Sequence, residues 1–151
     1  MTRLVMSVWL AVAASVQVAP PQDVWLKDFE GTWVVDNANG PDADIMLTIT
    51  RDAKGVLLMK AAYGGTEFLT RYDLTGKDAT NTAPGSKDRA TFRTRIDNRN
   101  RRMVTEIWDA APAGPPQRIE TRWLESANVM VTELSKTPGG SAFNRGVLRR
   151  K

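Results

Sequence analysis

No cysteine and no histidine occurs among the 151 residues of this chain, and the two absences remove most of the chemistry a small protein can perform. Without cysteine there is no disulfide, no thiol nucleophile, no thiolate metal site and no cysteine-linked lipid. Without histidine the commonest metal ligand, general base and haem ligand are all missing. A serine or aspartate nucleophile would have to recruit a lysine or carboxylate base, and no Ser-x-x-Lys or paired-glutamate spacing stands out from ordinary surface composition. Gly64-Gly65 and Pro138-Gly139-Gly140 have the composition of turns, not of phosphate-cradling loops. Asp42 and Asp44 would offer a metal carboxylates alone, and an acidic loop is the simpler account. The expectation is a non-catalytic chain with neither cofactor nor resident metal.

Long apolar runs are equally scarce. The exception opens the chain: Met1-Thr2-Arg3 followed by the apolar stretch Leu4 to Ala19 has the basic start, short apolar run and small-residue finish of a secretory signal. Pro20-Pro21 would end a helix or strand there. We therefore expect a signal peptide over 1–19, a linker and barrel-closing turn over 20–30 and one domain over 31–151. Cleavage falls near residue 14 or residue 20, because both Ala11-Val12-Ala13 and Ala19 present small residues. The implied location is the periplasm or the exterior, with no membrane span in the mature chain.

The hydrophobic share of 42% and charged share of 25% are those of an ordinary globule. The net charge of +4 is gathered in two short groups, Arg99, Arg101 and Arg102 in one turn and Arg149, Arg150 and Lys151 at the end. These read as a solvated turn and a tail, not as a nucleic-acid surface.

Helical periodicity is missing after residue 30, and what replaces it is period-two alternation in short runs separated by Gly, Pro, Asn and Asp clusters. The spacing predicts strands at 32–36, 44–51, 55–63, 66–74, 90–97, 102–109, 118–124, 128–134 and 143–149. The links have turn chemistry at Asp52–Gly55, Gly64-Gly65, Asn98–Arg101, Ser126-Ala127 and Pro138–Gly140. Consecutive hairpins leave bare edges unless the sheet closes. The expected fold is all-β: a single up-and-down antiparallel β-barrel of about 8–10 strands. Two segments depart from the meander, the polar stretch 76–87 and the proline-rich stretch 110–117, both read as long loops, for which a solvated loop is the commoner role and a lid the alternative.

Hairpin arithmetic selects inward faces. A two-residue turn at Gly64-Gly65 sets Phe68 opposite Ala61, Thr70 opposite Met59 and Tyr72 opposite Leu57. The same reasoning at Ser126-Ala127 sets Trp123 opposite Met130, Thr121 opposite Thr132 and Ile119 opposite Leu134. Around Asn98–Arg101 two registers compete. A four-residue loop puts Met103, Thr105 and Ile107 beside Phe92, Thr94 and Ile96, whereas a slip of one residue brings Val104, Glu106 and Trp108 inside. The Ile45, Leu47, Ile49 stripe conflicts with a four-residue turn at Asp52, which predicts a bulge nearby.

The segment Trp25-Leu26-Lys27-Asp28-Phe29-Glu30-Gly31-Thr32-Trp33 resembles the opening of lipocalins, members of the calycin group. Arg71-Tyr72-Asp73-Leu74-Thr75-Gly76-Lys77-Asp78 and the closing strands are similar to small exported bacterial lipocalin-like proteins. The resemblance implies a short helical turn that plugs one end of the barrel. It also implies stacking of Trp33 on an arginine of the last strand, for which Arg145 is the matching candidate and Arg149 the second. The implied function is non-catalytic binding of a small apolar or amphipathic molecule. Phe68, Tyr72, Phe92, Glu106, Trp108 and Trp123 are the candidate ligand contacts, Glu106 being the acidic group that would need a partner inside. The alternative is a solid barrel that acts as a structural or interaction module of the cell envelope.

Overall fold

The computed structural model describes residues 24–36, 45–82 and 87–151. The expected signal segment, Asp42 and Asp44 lie outside them. A 3-10 turn, Val24–Phe29, precedes ten strands: β1 (Gly31–Val35), β2 (Met46–Arg51), β3 (Val56–Tyr63), β4 (Thr66–Asp73), β5 (Asp78–Thr82), β6 (Arg89–Asp97), β7 (Arg102–Trp108), β8 (Arg118–Ser126), β9 (Val129–Ser135) and β10 (Ala142–Arg150). Each strand pairs antiparallel with its sequence neighbour, with one exception at β4 and β5, and β1 pairs with β10 to roll the ribbon into a nearly closed barrel. No helix among the described residues is long and apolar enough to cross a membrane.

Nine strands lie where the alternation puts them. The tenth, β5, falls inside the stretch 76–87 that reads as a loop. Its sequence Asp-Ala-Thr-Asn-Thr carries no apolar stripe, because its inward positions are the small Ala79 and the polar Asn81. The latter has a structural task. Its side-chain amide accepts a hydrogen bond from the Arg71 N–H at 2.8 Å and donates one to the Arg71 carbonyl at 3.0 Å, so it imitates a ladder rung between β4 and β5.

The Gly64-Gly65 hairpin has the predicted register, Phe68 opposite Ala61 and Tyr72 opposite Leu57, with both glycines at positive φ, 56° and 76°, as a tight two-residue turn of this hand requires. At Asp52 the conflict resolves without a bulge. Asp52 N–H donates to the Val56 carbonyl at 2.9 Å, so the loop has three residues and Leu47 and Ile49 oppose Ala61 and Met59 on the inner face. The bulges stand elsewhere, in β8 between Leu124 and Ser126 and in β10 between Ala142 and Asn144.

Around Asn98–Arg101 the four-residue loop holds. Asp97 faces Arg102, and Met103, Thr105 and Ile107 oppose Ile96, Thr94 and Phe92. The bulge in β8 then shifts the next hairpin by one residue from the expected pairing: Arg122 opposes Thr132 and Trp123 opposes Val131. One slip reverses which stripe of β8 faces inward. Glu120 and Arg122 therefore point into the barrel, and Ile119, Thr121 and Trp123 point out.

The floor is built as the Gly-x-Trp opening implies, with a different arginine. Trp33 is fully buried, its indole N–H donating to the Phe29 carbonyl at 2.9 Å. The guanidinium over its ring is that of Arg150, 4.4 Å from the centroid, a contact worth about 0.5–2 kcal/mol. Arg150 also donates to the carbonyls of Asp28, Glu30 and Ala127, tying the 3-10 turn and the β8–β9 turn to the last strand. Gly31 belongs to this joint, since a Cβ there would stand 2.7 Å from Arg150 Nη1. Arg145 is exposed and faces Glu125 and Glu133, and Arg149 faces Asp36 at 2.8 Å. Both expected candidates therefore yield to Arg150. The reason is register: Trp33 stands opposite Arg150 in the β1–β10 ladder, and period two puts 145 and 149 on the outer face.

Above Trp33 the core continues through Leu26, Phe29, Ile49, Leu57, Met59, Met103, Met130 and Leu148. Each such fully buried side chain contributes roughly 1.5–3 kcal/mol of transfer free energy.

Candidate functional site

The barrel interior changes character from floor to mouth. Near the floor the inward side chains are fully buried. Toward the mouth, formed by the β3–β4, β7–β8 and β9–β10 connections, the inward-facing Ala61, Phe68, Thr70, Phe92 and Leu134 are only half-buried. This end of the barrel is less completely buried than the floor, and its inward stripes are mostly apolar, with Arg118 and Asn144 at the rim.

Between the two zones lies a polar set. Arg122 is 4% exposed, an unusual depth for an arginine. Its guanidinium stands over the Tyr72 ring at 5.4 Å. Nε donates to Thr132 Oγ1 at 3.0 Å, Nη1 approaches Met59 Sδ at 3.5 Å and Nη2 lies 3.0 Å from Glu120 Oε1. Met59 is on β3 and Arg122 on β8, so this contact crosses the interior and fixes Arg122 as an inside residue. Burial opposes its charge, but the Glu120 carboxylate and Tyr72 outweigh that and hold its pKa above the ordinary value. Burial, then the Glu120 carboxylate, push the Tyr72 phenol well above its usual range, so Tyr72 stays a neutral donor. Beside Glu120, which Thr105 opposes in the β7–β8 ladder, the Thr94 and Thr105 hydroxyls pair at 3.1 Å in a fully buried layer.

Three expected contacts converge here: Phe68, Tyr72 and Phe92 all face inward, with the Tyr72 and Phe92 rings 5.7 Å apart edge to face. Glu106, Trp108 and Trp123 do not join them. Glu106 opposes Arg93 on the outer face. Trp108 is roofed on the outside by the Arg93 guanidinium at 5.1 Å and by the proline-rich loop, whose Gly114 carbonyl accepts its indole N–H at 3.1 Å. Trp123 lies under the Arg102 guanidinium at 4.9 Å. The stretch 110–117 is thus an outer-wall cover, fastened also by Thr91 Oγ1 to the Ala110 carbonyl, and it does not span the mouth.

The alternation in Ile119-Glu120-Thr121-Arg122-Trp123 points the wrong way, because the apolar stripe is buried under exterior arginines and loops while the charged stripe is buried inside. A signal for the true register was present in the four-residue Asn98–Arg101 loop. It sets Met103 inside, and β8 follows it through the Met103–Arg122 pair. Among the described residues no cluster of carboxylates could hold a metal ion.

No family model matches the chain, and no curated protein matches it. Solved structures do. The apo lipid binding protein 8 of Caenorhabditis elegans superposes with a TM-score of 0.62 at 12% identity, over 83% of this chain and 97% of that one. Fatty-acid-binding protein 1 of Echinococcus granulosus gives 0.59 at 14% identity, over 82% and 98%. At such identities the likeness establishes the fold alone: a nearly closed β-barrel of ten antiparallel strands.

Proposed function

We propose that this protein binds a small apolar or amphipathic molecule inside its barrel and performs no chemistry on it. The observation that carries the reading is the interior itself, a mostly apolar and incompletely buried upper wall that ends on the buried Arg122–Glu120–Tyr72 set. Sites for small molecules have this composition, mostly apolar with a few convergent polar groups. The packed floor supports the same reading, because it gives the barrel stability that does not depend on filling the mouth. The neighbours in fold are proteins named for lipid and fatty-acid binding, which favours a chain-like ligand. Phe68 and Phe92 would line the tail, and Tyr72 with Arg122 would face the head.

Export to the periplasm or exterior is part of the proposal. It is supported by the signal-like start, Met1 to Ala19, and is checked by the amino-terminal sequence of the protein recovered from its own cells.

Native mass spectrometry of the protein from its source, compared with the same sample denatured, tests the binding function. The expected result is a reproducible extra mass that departs on unfolding. An apolar fluorescent dye should also bind, and fatty acids, quinones or retinoids should displace it or raise the melting temperature. A bare mass together with no response to any of these ligands would overturn the reading and leave a solid interaction module.

A further inference from the structure

We propose that the interior site selects a ligand whose head is uncharged and donates a hydrogen bond, such as a long-chain alcohol, in preference to a carboxylate anion. This narrows the binding function proposed above and rests on it. The argument is one of charge and of hydrogen-bond arithmetic.

The cation in the middle of the interior is Arg122, and it is already opposed by the Glu120 carboxylate two positions away on the same strand and face. The titratable group packed against this pair from β4 is Tyr72. The other elements around it contribute Thr132 from β9, Thr105 from β7, Thr94 from β6 and Met59 from β3, none of which titrates. The other arginines on inward stripes are engaged elsewhere, Arg51 with Glu30, Arg150 with the floor carbonyls and Arg118, at the rim of the mouth, with Asp109. The set therefore has no net charge before a ligand arrives. A carboxylate head would either bring a second negative charge beside Glu120 or take Arg122 from it. In the second case a buried carboxylate is left without its cation, and removing one partner of a buried pair is strongly unfavourable.

The hydrogen bonds point the same way. The Glu120 carboxylate meets the Tyr72 hydroxyl and pairs with Arg122, whose Nη2 lies 3.0 Å from Oε1; Oε1 itself is buried with no hydrogen bond in place, so a carboxylate with about four acceptor positions keeps room for a further donor. Arg122 Nη1 finds only the thioether sulfur of Met59, a weak acceptor. The site thus holds an acceptor with spare capacity at Oε1 and a donor with a poor acceptor. A hydroxyl is both donor and acceptor and satisfies the two at once; a carboxylate or an ester only accepts.

The experiment compares hexadecanol, methyl palmitate and palmitate as competitors of a bound apolar dye, using the delipidated full-length mature protein at a pH where palmitate is ionised. Hexadecanol should bind about tenfold or more tightly than palmitate, with methyl palmitate between them. Glu120→Gln, which removes the negative charge while keeping the shape, should strengthen palmitate by about tenfold and narrow the lead of the alcohol. Palmitate binding tightest to the unaltered protein would overturn the inference, as would an ester equal to the alcohol or an order unchanged by Glu120→Gln. If the variant does not fold, the order of the three ligands on the unaltered protein decides. Binding led by palmitate would leave the proposed function standing and remove only the head-group preference; failure of all three ligands would remove both.

Discussion

The lower and upper halves of the barrel are made from the same ten strands and the same alternation, yet they spend their inward side chains differently. Below, Trp33, Leu26, Phe29, Ile49, Leu57 and Leu148 close on one another, and Arg150 binds three carbonyls from two turns. Above, Phe68, Ala61 and Leu134 face in but meet solvent. The difference teaches that stability and occupancy are separable in this fold. The floor supplies the cohesion that lets the mouth stay less completely buried, and the Arg122–Glu120 pair marks the boundary.

Substitutions on either side of that boundary sharpen or break the comparison. The largest effect belongs to the floor: Trp33→Ala should lower the unfolding free energy by about 3–5 kcal/mol. Urea denaturation checks it, with Arg145→Ala as the matched exterior control expected to stay within about 0.5 kcal/mol of the parent. Next comes the joint between β4 and β5. Asn81→Ala leaves the Arg71 N–H and carbonyl without their partner and should cost about 1–3 kcal/mol, with faster hydrogen exchange at the Arg71 amide. Smaller again is Phe68→Ala in the mouth, expected at about 1 kcal/mol or less because the site is already wet. The same change should weaken apolar dye binding several-fold, and a Phe68 loss as large as the Trp33 loss would erase the distinction between the halves.

The smallest expected effect is a pH dependence. The Asn100 side chain and backbone amide hold the Asp97 carboxyl below its usual pKa. A carboxyl depressed in the folded state stabilises above its unfolded pKa, near 4 for an aspartate, and the contribution fades as pH falls through the lower folded value. Asn100→Ala should therefore lower the melting temperature slightly at neutral pH and not at strongly acid pH. Equal losses at both would show that the turn geometry, not the charge, had been disturbed.

Most of the architecture was legible from alternation and turn residues, because hairpin loops with Gly64-Gly65 and Asp52–Gly55 set strand ends directly. Strand β5 was not, since its inward positions Ala79 and Asn81 serve a seam and carry no hydrophobic stripe. The site was legible in Phe68, Tyr72 and Phe92, whose hairpin has an unambiguous register. It was not legible in Glu120 and Arg122. A one-residue bulge reversed β8, and the exterior arginines Arg93 and Arg102 shelter Trp108 and Trp123 well enough that outward tryptophans look like core. The floor arginine was misplaced for the same reason: the motif specifies an arginine in the last strand, and only the β1–β10 register says which.

That register has a consequence for how the chain folds. Every backbone ladder except one joins strands that follow each other in sequence, so each can zip from its own turn with little loss of chain entropy. The β1–β10 pairing is the exception, bringing the two ends of the domain together across nearly its whole length. Gly31, Trp33 and Arg150 sit on that late step. Until it is taken, β1 to β4 and β5 to β10 are two ribbons joined by no backbone ladder, with four free edges between them, and the time spent in that state governs how often one copy meets another before the sheet is whole.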